Sequence, residues 1–209
     1  MIRVLIADDH AVVRRGLQQI LEEEEDLVAA SEASTAREAL RILQKERVDV
    51  LVLDIAMPGG GGLEVLHQLR SLRPRPPVLV LSVYGEKQYA ARALRAGAAG
   101  YLTKESAPDE LVDAIRQVAR GEKYITPFVA TLLVDRLNAP ELPAADRLST
   151  RECQVLYLLA SGRRPTDIAR DLSLSVKTVS TYRARILEKL QLESTADVIR
   201  YALEHGFVM

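Results

Sequence analysis

Five polar residues able to bind a cation or a phosphoryl group stand at the ends of short apolar runs. Asp8 and Asp9 close RVLIADD, Asp54 closes DVLVLD, Ser82 closes PVLVLS and Lys104 closes GYLTK. Three neighbouring carboxylates raise one another's pKa and do not all stay ionised cheaply unless a cation joins them. Oxygen ligands with water suit Mg2+, which keeps part of its hydration shell and coordinates phosphate. An ammonium neutralises one phosphoryl oxygen and a hydroxyl donates to another, so the set suits phosphoryl transfer onto a carboxylate. These groups act together only if the runs that carry them lie side by side.

From residue 2 to about 120, β-branched runs alternate with segments of helical period. Strands are expected at 2–7, 27–31, 49–53, 77–82 and 99–102, and helices near 12–24, 35–46, 62–71, 86–96 and 107–120. Five βα units imply an α/β fold with a doubly wound parallel sheet covered on both faces. The common strand order 2-1-3-4-5 sets the first and third strands together at the switch point, where Asp8, Asp9 and Asp54 converge and Ser82 and Lys104 flank them. Ser34 or Thr35 caps the second helix, and Pro108, Asp109 and Glu110 suit the first turn of the fifth. The run Glu22 to Asp26 reads as a solvated face. His10 reads as a helix-entry residue, since Mg2+ prefers oxygen.

Residues 121–146 change character: FVATLLVDRL suits one short helix, and NAPELPAAD reads as a semi-rigid linker. Beyond it every segment has helical period. LSTRECQVLYLLASG is a first helix capped by Ser149, with Glu152 three residues later, and stopped by Gly162. RPTDIARDL follows with Pro165 near its start, then SVKTVSTYRARILEKL capped by Ser175, then TADVIRYALEHG. Two short helices joined by the tight turn LSLS, the second one basic, satisfy the helix-turn-helix description. On the third helix Val179, Tyr182, Ile186 and Leu190 share one arc and are expected to be buried. Lys177, Ser180, Thr181, Ala184 and Glu188 lie opposite, a face of small and polar residues that permits close approach to a major groove. Arg185 and Lys177 are placed to reach phosphates, while Arg183, near the buried edge, equally suits an internal salt bridge. Period alone leaves a four-helix interaction module open.

Charge is consistent with this division: residues 146–209 hold 10 Lys and Arg against 8 Asp and Glu, a balance that permits nucleic acid without demanding it. The one cysteine, Cys153, excludes an internal disulfide and reads as a packing residue. The apolar start is too short for a signal peptide, and no stretch approaches the roughly 20 apolar residues of a membrane span. A cytoplasmic protein without membrane association is expected.

Residues 1–120 resemble the receiver domain of bacterial two-component response regulators, a flavodoxin-like fold. The matching motifs are DDH after the first strand, LDIAMPGGGGLEVL after the third, LSVY after the fourth and GAAGYLTKES at the fifth. The resemblance implies that Asp54 is the phosphoacceptor, supplied by the phosphohistidine of a sensor histidine kinase. It also implies that Asp9, Asp54 and the Ala56 carbonyl ligate Mg2+, with Asp8 acting mainly through water, and that Lys104 pairs with the phosphoryl group or, before it arrives, with Asp54. Ser82 and Tyr101 would form a switch pair: the hydroxyl moves toward the phosphoryl oxygens, the ring turns inward, and the face of the fourth helix, fifth strand and fifth helix changes. The tail is similar to the helix-turn-helix of the LuxR/FixJ class, the usual partner of this receiver type in the NarL group. That likeness implies a third helix in the major groove with Lys177, Thr178, Ser180, Thr181 and Ala184 nearest the DNA. Two departures stand out. Gly59 to Gly62 fill a loop where relatives often carry an acidic residue, so a mobile loop is expected. Arg164 replaces a common hydroxyl cap, removing about 1 kcal/mol of capping, although it can bind a phosphate instead.

The expectation is a phosphorylation-dependent DNA-binding transcription regulator: a receiver over 1–120, a linker with a short helix over 121–146, and an all-α four-helix DNA-binding domain over 147–209. Before phosphorylation the receiver covers the recognition helix or keeps the chain monomeric; phosphorylated Asp54 favours a homodimer on paired half-sites of promoter DNA. No enzymatic turnover is expected beyond self-catalysed phosphoryl transfer to Asp54 and slow self-dephosphorylation. Two alternatives stay open: a Mg-dependent phosphohydrolase using Asp54 or Asp8, opposed by the lack of any substrate-pocket or cap sequence, and an orphan regulator that binds DNA without phosphorylation.

Overall fold

The apolar runs pair as five parallel strands in the order β2-β1-β3-β4-β5, as expected. They are β1 (Ile2–Ala7), β2 (Leu27–Ala33), β3 (Val50–Asp54), β4 (Val78–Ser82) and β5 (Gly100–Thr103). Five helices follow them in turn: α1 (Ala11–Glu22), α2 (Ala36–Leu43), α3 (Gly62–Leu69), α4 (Glu86–Ala96) and α5 (Ala107–Ala119). The structure is a computed structural model and describes residues 1–57, 62–71, 74–83, 86–138, 147–172, 174–205 and 207. Positions 59–61 of the glycine loop lie outside the described residues. The chain divides into two compact units, Met1–Leu133 and Val134–Met209, with the division inside α6 (Pro127–Asn138).

β3 and β4 are buried along their whole length, the condition of central strands with helices on both faces. Side chains alternate across a strand, so Val4, Ile6, Val50, Val52, Leu79 and Leu81 form one core with Leu17 and Leu21 of α1 and Leu111 and Ile115 of α5. Leu5, Leu51, Leu53 and Val80 occupy the alternate positions and are equally buried. Each such side chain contributes about 1.5–3 kcal/mol by leaving water.

Helix ends follow the capping chemistry. The Thr35 hydroxyl accepts from the Glu38 amide at 3.2 Å, while Glu38 Oε2 accepts from the Ser34 amide at 2.9 Å. Pro108, Asp109 and Glu110 occupy the first turn of α5.

The structure departs from expectation at β2, which runs to Ala33 rather than ending at 31. Its pairing with β1 shifts between Val4 and Leu5, bulging Ala30 out of the ladder. β2 is an edge strand, where the polar Ser31 and Glu32 are tolerated but read as a strand end. Glu24 and Asp26, although partly exposed, clasp Arg116 of α5 at 2.7 and 2.6 Å.

After α5 the chain returns to the open edge of β5. The Tyr124 amide donates to the Ala99 carbonyl at 3.0 Å, Tyr124 bridges Gly100, and its hydroxyl meets Glu110 Oε2 at 2.5 Å. A Cβ on Gly100 would lie 2.8 Å from Tyr124 Cβ and 2.9 Å from both the Tyr124 carbonyl oxygen and Leu79 Cδ1. Gly100→Ala is therefore expected to destabilise the receiver by about 2 kcal/mol through overpacking. A urea midpoint equal to the wild type would refute this.

The second unit contains α7 (Thr150–Ala160), α8 (Pro165–Asp171), α9 (Val176–Leu190) and α10 (Thr195–Glu204). Ser149 and Glu152 form the expected capping box on α7, and Gly162, with φ of +77°, ends it. Arg164 offers α8 no side-chain cap, and Ser175 caps α9 by accepting from the Thr178 amide at 3.0 Å. Val155, Leu156, Ile168, Val179, Ile186 and Val198 are buried among these helices with Cys153, whose thiol is in no disulfide. Tyr182, expected in that arc, is only half-buried. A tyrosine has an apolar body and a polar hydroxyl, so partial exposure costs it less than an aliphatic side chain. Arg183 makes an internal bond, but to a hydroxyl: its Nε donates to Thr195 Oγ1 at 2.8 Å.

Candidate functional site

Strand register brings the acidic residues together before any side chain is considered. Ala7 pairs with Leu53, so the next residues, Asp8 and Asp54, leave neighbouring strands side by side. Asp54 pairs with Leu81, and Ser82 with Thr103, which puts Ser82 and Lys104 one step beyond the carboxylates. Asp8, Asp9, His10 and Asp54 each bring a ligand atom within 4.8 Å of the others.

The Asp54 side chain is wholly buried, and both its oxygens are held. Oδ1 accepts from the Ala56 amide at 2.9 Å, and Oδ2 from Lys104 Nζ at 2.8 Å. The same Nζ lies 2.5 Å from Asp8 Oδ2, yet that oxygen has no hydrogen-bond partner of good geometry. Asp9 Oδ1 is likewise buried without a hydrogen bond, although His10 Nδ1 stands 2.9 Å away. Buried carboxylate oxygens of this kind call for a further partner. Three hard oxygen donors fit a divalent cation, so the cluster is able to hold one. His10 occupies the cap position of α1, the helix-entry place expected, and its amide donates to Asp8 Oδ1 at 2.8 Å.

Electrostatics divide unequally between the partners. Burial pushes the Asp54 carboxyl above its ordinary pKa; Lys104 and the Ala56 amide oppose this, and Asp8 adds to it. Burial alone would lower Lys104, but Asp54 and Asp8 together outweigh it and hold the ammonium charged. The two directions agree once the sharing is counted. One ammonium serves two carboxylates, so it is doubly stabilised while Asp54 stays under-compensated. Ser82 is fully buried at the end of β4, and its carbonyl accepts the Lys104 amide at 2.8 Å. Tyr101 is also buried, its ring inside the protein.

Two contributors were not apparent from residue type. Gly62 opens α3, its amide donating to the Ile55 carbonyl at 3.0 Å, and a Cβ there would meet the Asp54 carbonyl oxygen at 2.5 Å, so this close approach requires a glycine. Glu152 of α7 reaches a residue 37 positions away on α9: its Oε2 accepts from Lys189 Nζ at 2.7 Å and from the Ser149 amide at 2.6 Å. Burial alone would raise Glu152, yet Lys189 and Ser149 outweigh it and hold the carboxyl below its usual value. The end of α9 is thereby fixed to the start of α7.

On α9 the residues Lys177, Ser180, Thr181, Ala184 and Arg185 are exposed, and Thr178 is half-buried beside the cap. Ser180 Oγ donates to the Val176 carbonyl at 3.1 Å and Thr181 Oγ1 to the Lys177 carbonyl at 3.0 Å. With their protons turned into the helix, both hydroxyls present lone pairs outward. Among the described residues no helix is long and apolar enough to cross a membrane.

Residues 4–116 match the family model of the response regulator receiver domain, and residues 146–202 match that of bacterial regulatory proteins, luxR family. The response regulator GacA of Pseudomonas aeruginosa is 39% identical over 210 residues, covering 100% of this chain and 98% of its own. The response regulator UvrY of Escherichia coli K12 is 36% identical over 208 residues, covering 99% and 95%. Both are named as regulators rather than as enzymes. Among solved structures, RcsB of Salmonella enterica serovar Typhimurium, bound to a promoter in the presence of the phosphomimetic BeF3-, aligns with a TM-score of 0.65 at 29% identity over 96% of this chain and 97% of that one. ChrA, from a heme-sensing two-component system, aligns at 0.52 with 33% identity over 99% and 98%. The chain belongs to the two-component response regulators that join a receiver domain to a LuxR-type helix-turn-helix, and it is a DNA-binding transcription regulator.

Proposed function

We propose that a sensor histidine kinase phosphorylates Asp54 and that this modification controls DNA binding by the second domain. The observation that carries the reading is the buried Asp54 carboxylate held between the Ala56 amide and Lys104 beside a second acid. An Asp54 oxygen attacks the phosphorus of the kinase phosphohistidine. The P–N bond breaks, its electron pair returns to the imidazole, and an acyl phosphate remains on Asp54. Mg2+, held by Asp9, Asp54, the Ala56 carbonyl and through water by Asp8, would supply charge neutralisation for the phosphoryl oxygens. Lys104 exchanges its hold on Asp54 for a phosphoryl oxygen. Ser82 turns its hydroxyl to another, and the Tyr101 ring, buried before the phosphoryl group arrives, shifts into the space vacated, which resets the face of α4, β5 and α5.

The domains assigned to these roles are 1–120, a linker at 121–146 and 147–209, acting in the cytoplasm. Phosphorylation favours a homodimer, which places two copies of α9 in successive major grooves of promoter DNA. In each, Lys177 and Arg185 reach phosphates while Thr178, Ser180, Thr181 and Ala184 lie against base edges. The outward lone pairs of Ser180 and Thr181 suit acceptance from adenine or cytosine amines. A hydrolytic enzyme using the same carboxylates would have no need of the LuxR-type domain that this chain carries.

Phosphodonor-treated protein is expected to bind promoter DNA more tightly than untreated protein. Lys177→Ala should weaken binding to all sequences alike and reduce the salt slope by about one. A loss confined to one base pair in a salt-dependent binding series would contradict a phosphate role.

A further inference from the structure

Arg14 of α1 ties the main chain of Asp8 to the end of β2. Its Nη1 donates to the Asp8 carbonyl at 2.7 Å and its Nε to Glu32 Oε2 at 2.9 Å. Gln18 Nε2 holds the other oxygen of the same carboxylate at 2.5 Å. The Arg14 side chain is 17% exposed against 41% for Glu32, so the guanidinium is the more covered partner. A planar fork meets two acceptors at fixed angles, which a flexible ammonium does not.

On its other side, the Asp8 amide donates to the Ala33 carbonyl at 3.1 Å. Both peptide groups flanking the Asp8 Cα are therefore held, one by the β2 backbone and one by Arg14. With two backbone dihedrals as the only soft ones per residue, holding both planes fixes the direction of the Asp8 Cβ and the start of Asp9. The bond from the His10 amide to Asp8 Oδ1 then completes the turn.

We infer that Arg14 is a positioning residue for the acidic pocket: through the Asp8 carbonyl it sets the turn from which Asp8 and Asp9 converge on the cation position, without itself touching cation or phosphoryl group. This rests on the proposed role of the pocket in cation-assisted phosphorylation of Asp54. A purely structural Arg14 would cost stability and leave the folded pocket unchanged.

The test uses the full chain as Arg14→Met, which keeps the length of the stem, and as Glu32→Gln, which leaves the bond to Asp8 in place. Calorimetric titration gives the Mg2+ affinity. Hydrogen exchange of the His10 amide in Mg2+-free buffer reports the Asp8 carboxylate through its 2.8 Å bond. Arg14→Met should weaken Mg2+ binding by about tenfold or more and speed His10 exchange by roughly tenfold. Glu32→Gln should change each by less than about threefold, and Arg14→Lys, lacking the fork, should fall between. Wild-type affinity and exchange in folded Arg14→Met would overturn the inference. Should Arg14→Met fail to fold, Arg14→Lys carries the same comparison, and wild-type behaviour there overturns it equally. A wild type that binds no Mg2+ would sink the reading of the pocket instead, and His10 exchange alone would then decide whether Arg14 positions Asp8.

Discussion

Lys104→Met is expected to lower the stability of the cation-free receiver by about 3 kcal/mol and yet to tighten Mg2+ binding by about tenfold. In the wild type the ammonium stands 2.8 Å from Asp54 and 2.5 Å from Asp8, two side chains that are almost wholly buried. Removing it leaves two carboxylates facing each other out of water with no counter-charge. A cation approaching the variant then meets one fewer like charge and a greater need. The pH dependence follows from the raised Asp54 pKa. A carboxyl whose folded pKa lies above its unfolded value binds protons preferentially in the native state. Stability therefore falls as pH rises from the ordinary carboxylate value through the raised one, and acidification should narrow the gap between variant and wild type. Melting midpoints with and without Mg2+ at two pH values check each sign. An equal loss in both buffers, or weaker Mg2+ binding, would contradict the placement of Lys104 between the acids.

Gly62→Ala should cut phosphoryl uptake by roughly a hundredfold, because it acts on the backbone of Asp54 itself. The added Cβ would stand 2.5 Å from the Asp54 carbonyl oxygen and 2.9 Å from the Ile55 Cα. Main-chain atoms do not rotate aside as a side chain does, so the backbone at Asp54 and Ile55 must move and carry the carboxylate with it. The accompanying cost in stability is about 1–3 kcal/mol. Gly16 provides the internal control. Nothing lies within 4 Å of its Cβ position in α1, so Gly16→Ala should be neutral or stabilising by up to about 1 kcal/mol and leave uptake intact. Uptake by Gly62→Ala at the wild-type rate in an intact-mass time course would show that position 62 tolerates a side chain.

The parts legible in the sequence were those with a periodic or terminal signature. VLVLD and VLVLS fit strands buried on both sides, and the common parallel order 2-1-3-4-5 then brought Asp8 beside Asp54. Ser149 with Glu152, and Ser175 alone, marked helix starts because a hydroxyl there satisfies an amide that the helix leaves free. The bulge at Ala30 left no mark, since an edge strand tolerates polar residues that imitate a strand end. Arg14, Lys189 and Arg116 were illegible for a different reason. Their partners Glu32, Glu152, Glu24 and Asp26 lie on other elements at separations set by packing, and no local pattern encodes them. Gly62 was visible as one of four glycines, but only the fold shows that the last of them lies against the Asp54 carbonyl.

The most direct test of phosphorylation-controlled DNA binding is intact mass after incubation with a small phosphodonor and Mg2+, for the wild type and Asp54→Asn, with the same samples then assayed on promoter DNA. One added phosphoryl group that requires both Asp54 and Mg2+ is expected, with tighter DNA binding only in the sample that carries it. An unmodified wild type that binds DNA as well as the treated one, or an adduct that persists in Asp54→Asn, would contradict it.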